Sequence, residues 1–173
     1  MNLCNRNAEV SVLAREAIHE AGHAVMARWL GLGLKMVRIY QFEVSGRTCV
    51  LWPDTEAGDR RKMDLKILAA ARTCLESFGI DTCHDEGGFR DEAQILTILH
   101  EMFPDDEDGQ ARDDYDAKLH CEVARLFEQP NFHAAARDLA EILTRTSEID
   151  GPQAEGLIDR HLRGTFCNER YAL

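Results

Sequence analysis

The sequence has no long apolar run. Its longest nearly apolar stretch, Ala24 to Leu34, is interrupted by Arg28 and falls far short of the roughly 20 residues that span a bilayer. No membrane span is therefore expected. The opening residues, Met1-Asn2-Leu3-Cys4-Asn5-Arg6-Asn7, lack the apolar core of a secretory signal, so the expectation is a cytoplasmic protein with reduced thiols. Among the six cysteines no pair is spaced C-x-x-C, and the closest, Cys74 and Cys83, are nine apart. Neither a zinc ribbon nor a dithiol redox motif is written here. Bases are scarce too: 20 Lys and Arg face 31 Asp and Glu, for a net charge of −11. Such a surface repels phosphate backbones, and nucleic acid is not an expected partner. No internal repeat is present either.

What is there fits one globular domain over residues 1–173, with a core at about 10–163, because 173 residues leave no room for a second domain of ordinary size. The charge is uneven, since Asp105 to Asp116 (DDEDGQARDDYD) holds seven acids and one base. This run reads as a solvated loop entering a helix. It lacks the alternating ligands and closing Glu of a calcium loop. Cys49, Cys74 and Cys121 read as small apolar residues inside elements.

From Val10 to Leu30, Ile18, Gly22, Val25 and Trp29 fall on one helical stripe that Ala14, Ala17 and Ala21 widen, which predicts a buried helix stopped at Gly31. Two strands follow, at 36–40 and 48–52, with Ser45-Gly46 as turn signal and Pro53-Asp54 as terminator, making a short antiparallel ribbon. The remaining pattern is helical: 60–78 with a stop at Gly79, a polar Gly-Gly loop, then a helix that Asp91 opens and Phe103 closes. Helices over about 112–128, 132–146 and 153–162 complete the chain. The predicted fold class is mainly α (α+β), a helical domain with a small antiparallel ribbon after its first helix.

That first helix contains His19-Glu20-Ala21-Gly22-His23. Four residues advance a helix by about 400°, so both imidazoles project from nearly one face and can reach one metal ion. Glu20 is turned away from the pair yet close to it, where a carboxylate can take a proton from water at the metal without binding the metal itself. A shuffled chain of this composition holds His-Glu-x-x-His with a probability of roughly 0.03. The competing reading is two ordinary histidines on a buried helix. His100, His120, His133 and His161 stand alone on half-exposed helices, and Arg72 with Glu76 reads as an intrahelical ion pair.

Ala17-Ile18-His19-Glu20-Ala21-Gly22-His23-Ala24-Val25 resembles the active-site helix of the FtsH-type membrane AAA zinc proteases, whose peptidase domain opens with a HEAGHA motif. Other segments are similar in order. The 37–50 ribbon looks like the strand pair after that helix; Leu68-Ala69-Ala70-Ala71-Arg72 through Phe78-Gly79 is similar to the family's Gly-Arg-Ala-Ala-Glu-Glu helix; Leu139 to Leu143 and Glu148 to Gly151 look like its closing helices. The resemblance implies a zincin-like fold, a Zn2+ cofactor and peptide-bond hydrolysis. It implies His19 and His23 as zinc ligands, Glu20 as general base, and a third ligand at Asp91, the Asp that begins the helix after the Gly-containing loop. Asp91 could instead simply cap that helix, and His84, Asp85 and Glu86 compete for the ligand role.

The implied activity is a zinc metalloendopeptidase acting on unfolded or extended polypeptide, which would add to the edge of the ribbon. Family members also carry a membrane anchor and an ATPase module, and this chain has no G-x-x-x-x-G-K-[ST]. The expected protein is therefore not itself an ATPase, and a separate unfoldase is a partner the resemblance admits. The alternative is a catalytically silent, zinc-stabilised interaction module on the same fold. An intact Glu20 favours the enzyme, because a structural zinc site needs no base and is normally closed by four protein ligands.

Overall fold

The computed structural model describes residues 11–40, 45–53, 57–82 and 86–163. Helix α1 (Val12–Trp29) is the central element, buried nearly all round from Glu16 to Ala27. Ser11 caps its start by accepting the Ala14 N–H at 3.2 Å. Its end is set by Gly31, whose φ of 84° lets Gly31 N bond to Arg28 O and Leu32 N to Ala27 O; only glycine takes that left-handed turn without steric cost. Helix α2 (Ala57–Ser77) closes in the same way at Gly79, through Gly79 N to Glu76 O and Ile80 N to Leu75 O. Both predicted stops are therefore real.

Strands β1 (Gly33–Tyr40) and β2 (Ser45–Leu51) pair antiparallel, with Val37 opposite Thr48 and Ile39 opposite Gly46. Ser45 and Gly46 belong to β2 and do not form the predicted turn. The ribbon also gains a third strand that the sequence reading missed. β3 (Glu148–Asp150) pairs antiparallel with the other edge of β1, giving the order β2-β1-β3. The segment that resembled a closing helix is thus a strand, followed at once by a helix. Gly151 makes this junction possible, because a Cβ there would lie 1.7 Å from Leu34 O on β1.

The other helices are α3 (Glu86–Met102), α4 (Gln110–Phe127), α5 (Pro130–Thr146) and α6 (Gly151–Leu162). α3 begins earlier than predicted, so Gly87 and Gly88 lie in its first turn and Asp91 lies inside the helix, not at its cap. No helix among the described residues is long and apolar enough to cross a membrane. One continuous core links α1, α2, α5 and α6 with the inner face of the sheet, and includes Val25, Leu65, Leu139, Leu143 and Ile158. Three polar ties set element positions within it. Arg28 donates twice to the Asp159 carboxylate at 2.7 Å, fixing α1 to α6. Glu155 accepts the Leu34 N–H at 2.7 Å beside the irregularity in β1. Buried Lys66 donates to Glu122 at 2.8 Å, tying α2 to α4. Cys74 is buried as expected, Cys49 is partly buried, and Cys121, though inside α4, is exposed and not buried.

Candidate metal centre

The centre is assembled where α1 crosses α2 and faces β2 and α3. Gly22 permits that crossing: a Cβ there would stand 2.8 Å from Ala70 O and 3.0 Å from Ala71 Cα on α2. His19 and His23 flank Gly22 and are 3% and 8% exposed. Their Nε2 atoms lie 3.2 Å apart. His23 Nδ1 is 2.8 Å from Ile67 O, and because a carbonyl can only accept, Nδ1 carries the proton. In neutral His23 the Nε2 lone pair therefore faces the centre.

Asp91 comes from the second turn of α3, and its Oδ2 lies 3.3 Å from His19 Nε2 and 3.1 Å from His23 Nε2. That oxygen is buried, and apart from these two imidazole nitrogens it has no hydrogen-bond partner among the described residues. Burial alone would raise the Asp91 pKa, but the two imidazoles outweigh it and hold the carboxyl well below the usual carboxylate range. Burial works against protonation of His23, yet Asp91 more than offsets this and raises its pKa. Each group thus favours the charged form of the other.

Two nitrogens and one oxygen form a triangle with edges of 3.1, 3.2 and 3.3 Å. Tetrahedral coordination at the usual zinc bond lengths separates neighbouring ligand atoms by about 3.3 Å, so the triangle fits one face of such a site. The ligand atoms of His19, Glu20 and His23 also lie within 4.8 Å of one another, a grouping able to hold a metal ion. The donor set and the otherwise unpartnered Asp91 oxygen both fit a cation at this point.

Glu20 stands beside the triangle, 4% exposed, and is held by β2. Thr48 Oγ1 donates to Glu20 Oε2 at 2.7 Å and lies 3.1 Å from the Glu20 carbonyl. Gly46 supplies the space, because a Cβ at that position would fall 2.3–2.7 Å from the Glu20 side chain. Neither Gly46 nor Thr48 was singled out from the sequence as a site residue. A glycine inside a strand does signal close approach by another group, but here the Ser-Gly pair read as a turn.

The centre opens into a cleft of about 440 Å³ lined by α1, β2, α2 and α3, with Glu16, Arg47, Arg90 and Gln94 around the four central residues. His84 and Asp85 lie outside the described residues, and of Glu86 only its place at the start of α3 is described. His100, His120, His133 and His161 are elsewhere: His161 pairs with Asp138 at 2.9 Å, His120 with Asp116 at 3.2 Å, and His133 stacks on Phe78. Arg72 forms the expected pair with Glu76, at 3.0 Å, and also contacts Glu92 on α3. No protein-family model matches the chain, and no curated protein matches it in sequence.

Proposed function

We propose that the chain is a zinc-dependent metalloendopeptidase, similar to the peptidase domain of the FtsH-type proteases. The observation that carries this reading is the triangle of His19, His23 and Asp91, with Glu20 braced beside it in an open cleft. In this assignment the three triangle atoms hold the metal. Zinc at that position supplies Lewis acidity, which makes water more acidic and a peptide carbonyl more electrophilic.

The chain's own residues supply the rest. Thr48 occupies Oε2 of Glu20, so the other carboxylate oxygen is the one that takes a proton from the attacking water and returns it to the leaving amine. The bond from His23 to Ile67 fixes the tautomer and ring orientation. β2 is an outer strand of the sheet, and its edge beside the cleft offers main-chain hydrogen bonds to an extended polypeptide with little demand on sequence. Unfolded polypeptide is therefore the substrate class, delivered by a separate unfoldase where the substrate is folded.

The silent-module alternative is separated by one pair of measurements, zinc content and casein hydrolysis, on wild type and Glu20→Gln. The expected result is one zinc per chain in both proteins and hydrolysis only in wild type. Zinc in both with equal, negligible hydrolysis would leave the interaction module as the correct reading.

A further inference from the structure

A second cavity, of about 280 Å³, adjoins the candidate centre. It shares Thr48, Ile67, Leu68 and Gln94 with the first cleft, so the two form one continuous groove. Its own walls are Val50 and Trp52 from the β2 side, Ile98 from α3, and Asp64 from α2. Side chains two apart share one face of a strand, so Gly46 and Thr48 at the centre lead along the same face to Val50.

The charged lining differs along this groove. The end at the centre carries both signs, with Arg47 and Arg90 beside Glu16, Glu20 and Asp91, whereas the second cavity has Asp64 as its one ionisable lining residue and no base among the described residues. Asp64 is half-buried, and among the described residues its only ion partner is Arg60, at 3.9 Å. An ion pair so long and exposed contributes little, and the same guanidinium lies over the Trp52 ring, 4.9 Å from its centroid. Burial raises the Asp64 pKa, which Arg60 only partly counters. A carboxylate in this position gains from a close cation.

We propose that this second cavity is a specificity site for a lysine or arginine side chain of the bound polypeptide, with the aliphatic stem against Val50, Leu68 and Ile98 and the cationic end on Asp64. Asp64 lies three residues before Ile67 on α2, a rise of about 4.5 Å, so it stands a little under one turn along the groove from the carbonyl that holds the His23 ring. The net charge of −11 favours encounter with basic segments over acidic ones. The placement next to the reacting bond rests on the peptidase reading above; the preference for a basic side chain does not.

The test uses blocked peptides that differ at one position, Lys, Arg, Leu or Phe. Binding to the zinc-loaded Glu20→Gln protein is read by isothermal titration calorimetry, and cleavage by wild type is read by mass spectrometry. Expected are at least tenfold tighter binding of the Lys and Arg peptides than of the Leu peptide, cleavage sites clustered at a fixed offset from basic residues, and loss of both preferences in Asp64→Asn. Asp64→Glu should restore part of them. Equal or tighter binding of Leu or Phe, or an unchanged preference in Asp64→Asn, overturns the proposal. Selective binding without any cleavage would overturn the peptidase reading and leave the basic-side-chain site standing, whereas cleavage without selectivity does the reverse.

Discussion

At the scale of single residues, Asp91 distinguishes a metal site from a pair of packed histidines. Two imidazoles one turn apart are visible in the sequence because helical periodicity dictates their common face. Asp91 has two readings in the sequence, since an Asp near a predicted helix start is as good a cap as a ligand. Its place in the second turn of α3 removes the capping role, and the proposed ligand role rests on its oxygen lying within 3.3 Å of both rings. Asp91→Asn is expected to weaken zinc binding by more than the roughly 10–100-fold typical of outer-sphere partners, measured by competition with a chromophoric chelator. Unchanged affinity would remove Asp91 from the site. Thr48 makes a different prediction, because it touches Glu20 and no triangle atom. Thr48→Val should keep full zinc content and substrate affinity while kcat falls by about tenfold, the scale of a hydrogen bond to a charged group. A changed KM with kcat intact would mean that Thr48 binds substrate instead of positioning the base.

At the scale of elements, the helices and their stops could be read because apolar spacing and glycine punctuation are local properties. What escaped depends on pairing across the chain. β3 has three residues and only Ile149 to mark it, so it becomes a strand through β1, where Ile149 sits opposite Val37. Gly46 and Thr48 escaped for a related reason, since the seating of β2 on α1 is not encoded within either segment. Gly22 is the clearest element-scale requirement. Gly22→Ala places a methyl 2.8 Å from the Ala70 carbonyl and from Cys74 Cβ, forcing α1 and α2 apart at a cost of about 1–3 kcal/mol. A chain of this length would then melt roughly 2–12 °C lower. Zinc affinity should fall as well, since the Ile67 carbonyl that orients His23 moves with α2. An unchanged melting temperature would contradict the close crossing. The acidic run also has an element-scale role: Asp106 accepts from the backbone N–H groups of Arg112 at 3.0 Å and Ala111 at 3.2 Å at the start of α4. Those backbone bonds, helped by the Arg112 side chain and opposed by desolvation, lower its pKa. A depressed carboxyl contributes stability above its unfolded value of about 3.9 that is lost as pH falls through the folded value. The stability advantage of wild type over Asp106→Ala, measured by urea unfolding, should therefore shrink between pH 6 and pH 3; a constant gap would exclude the charge as its source.

At the scale of the whole molecule, the proposed metal site would couple folding, protonation and metal. Without metal, His23 has a raised pKa, so its protonated form contributes stability that is complete below its unfolded value of about 6.5 and is lost as pH rises through the folded value. Asp91, with a lowered pKa, contributes stability present above about 3.9 and lost as pH falls through its own folded value. The pair alone thus stabilises the metal-free fold most in the mildly acidic window between these limits. Metal binding has the opposite dependence, because it requires both imidazoles to present a lone pair and so displaces a proton. A ligand held at 100 times its dissociation constant stabilises the native state by about 2.7 kcal/mol, and each displaced proton changes that term by about 1.4 kcal/mol per pH unit below the His23 pKa. Differential scanning calorimetry at fixed free zinc, with chelator-treated protein as reference, should show a gap in melting temperature that is small at pH 5.5 and widens steadily to pH 8. The metal-free protein alone should lose stability over the same interval. A gap independent of pH would mean that zinc binds through groups that do not titrate in this range, and would move the metal away from His19 and His23 altogether.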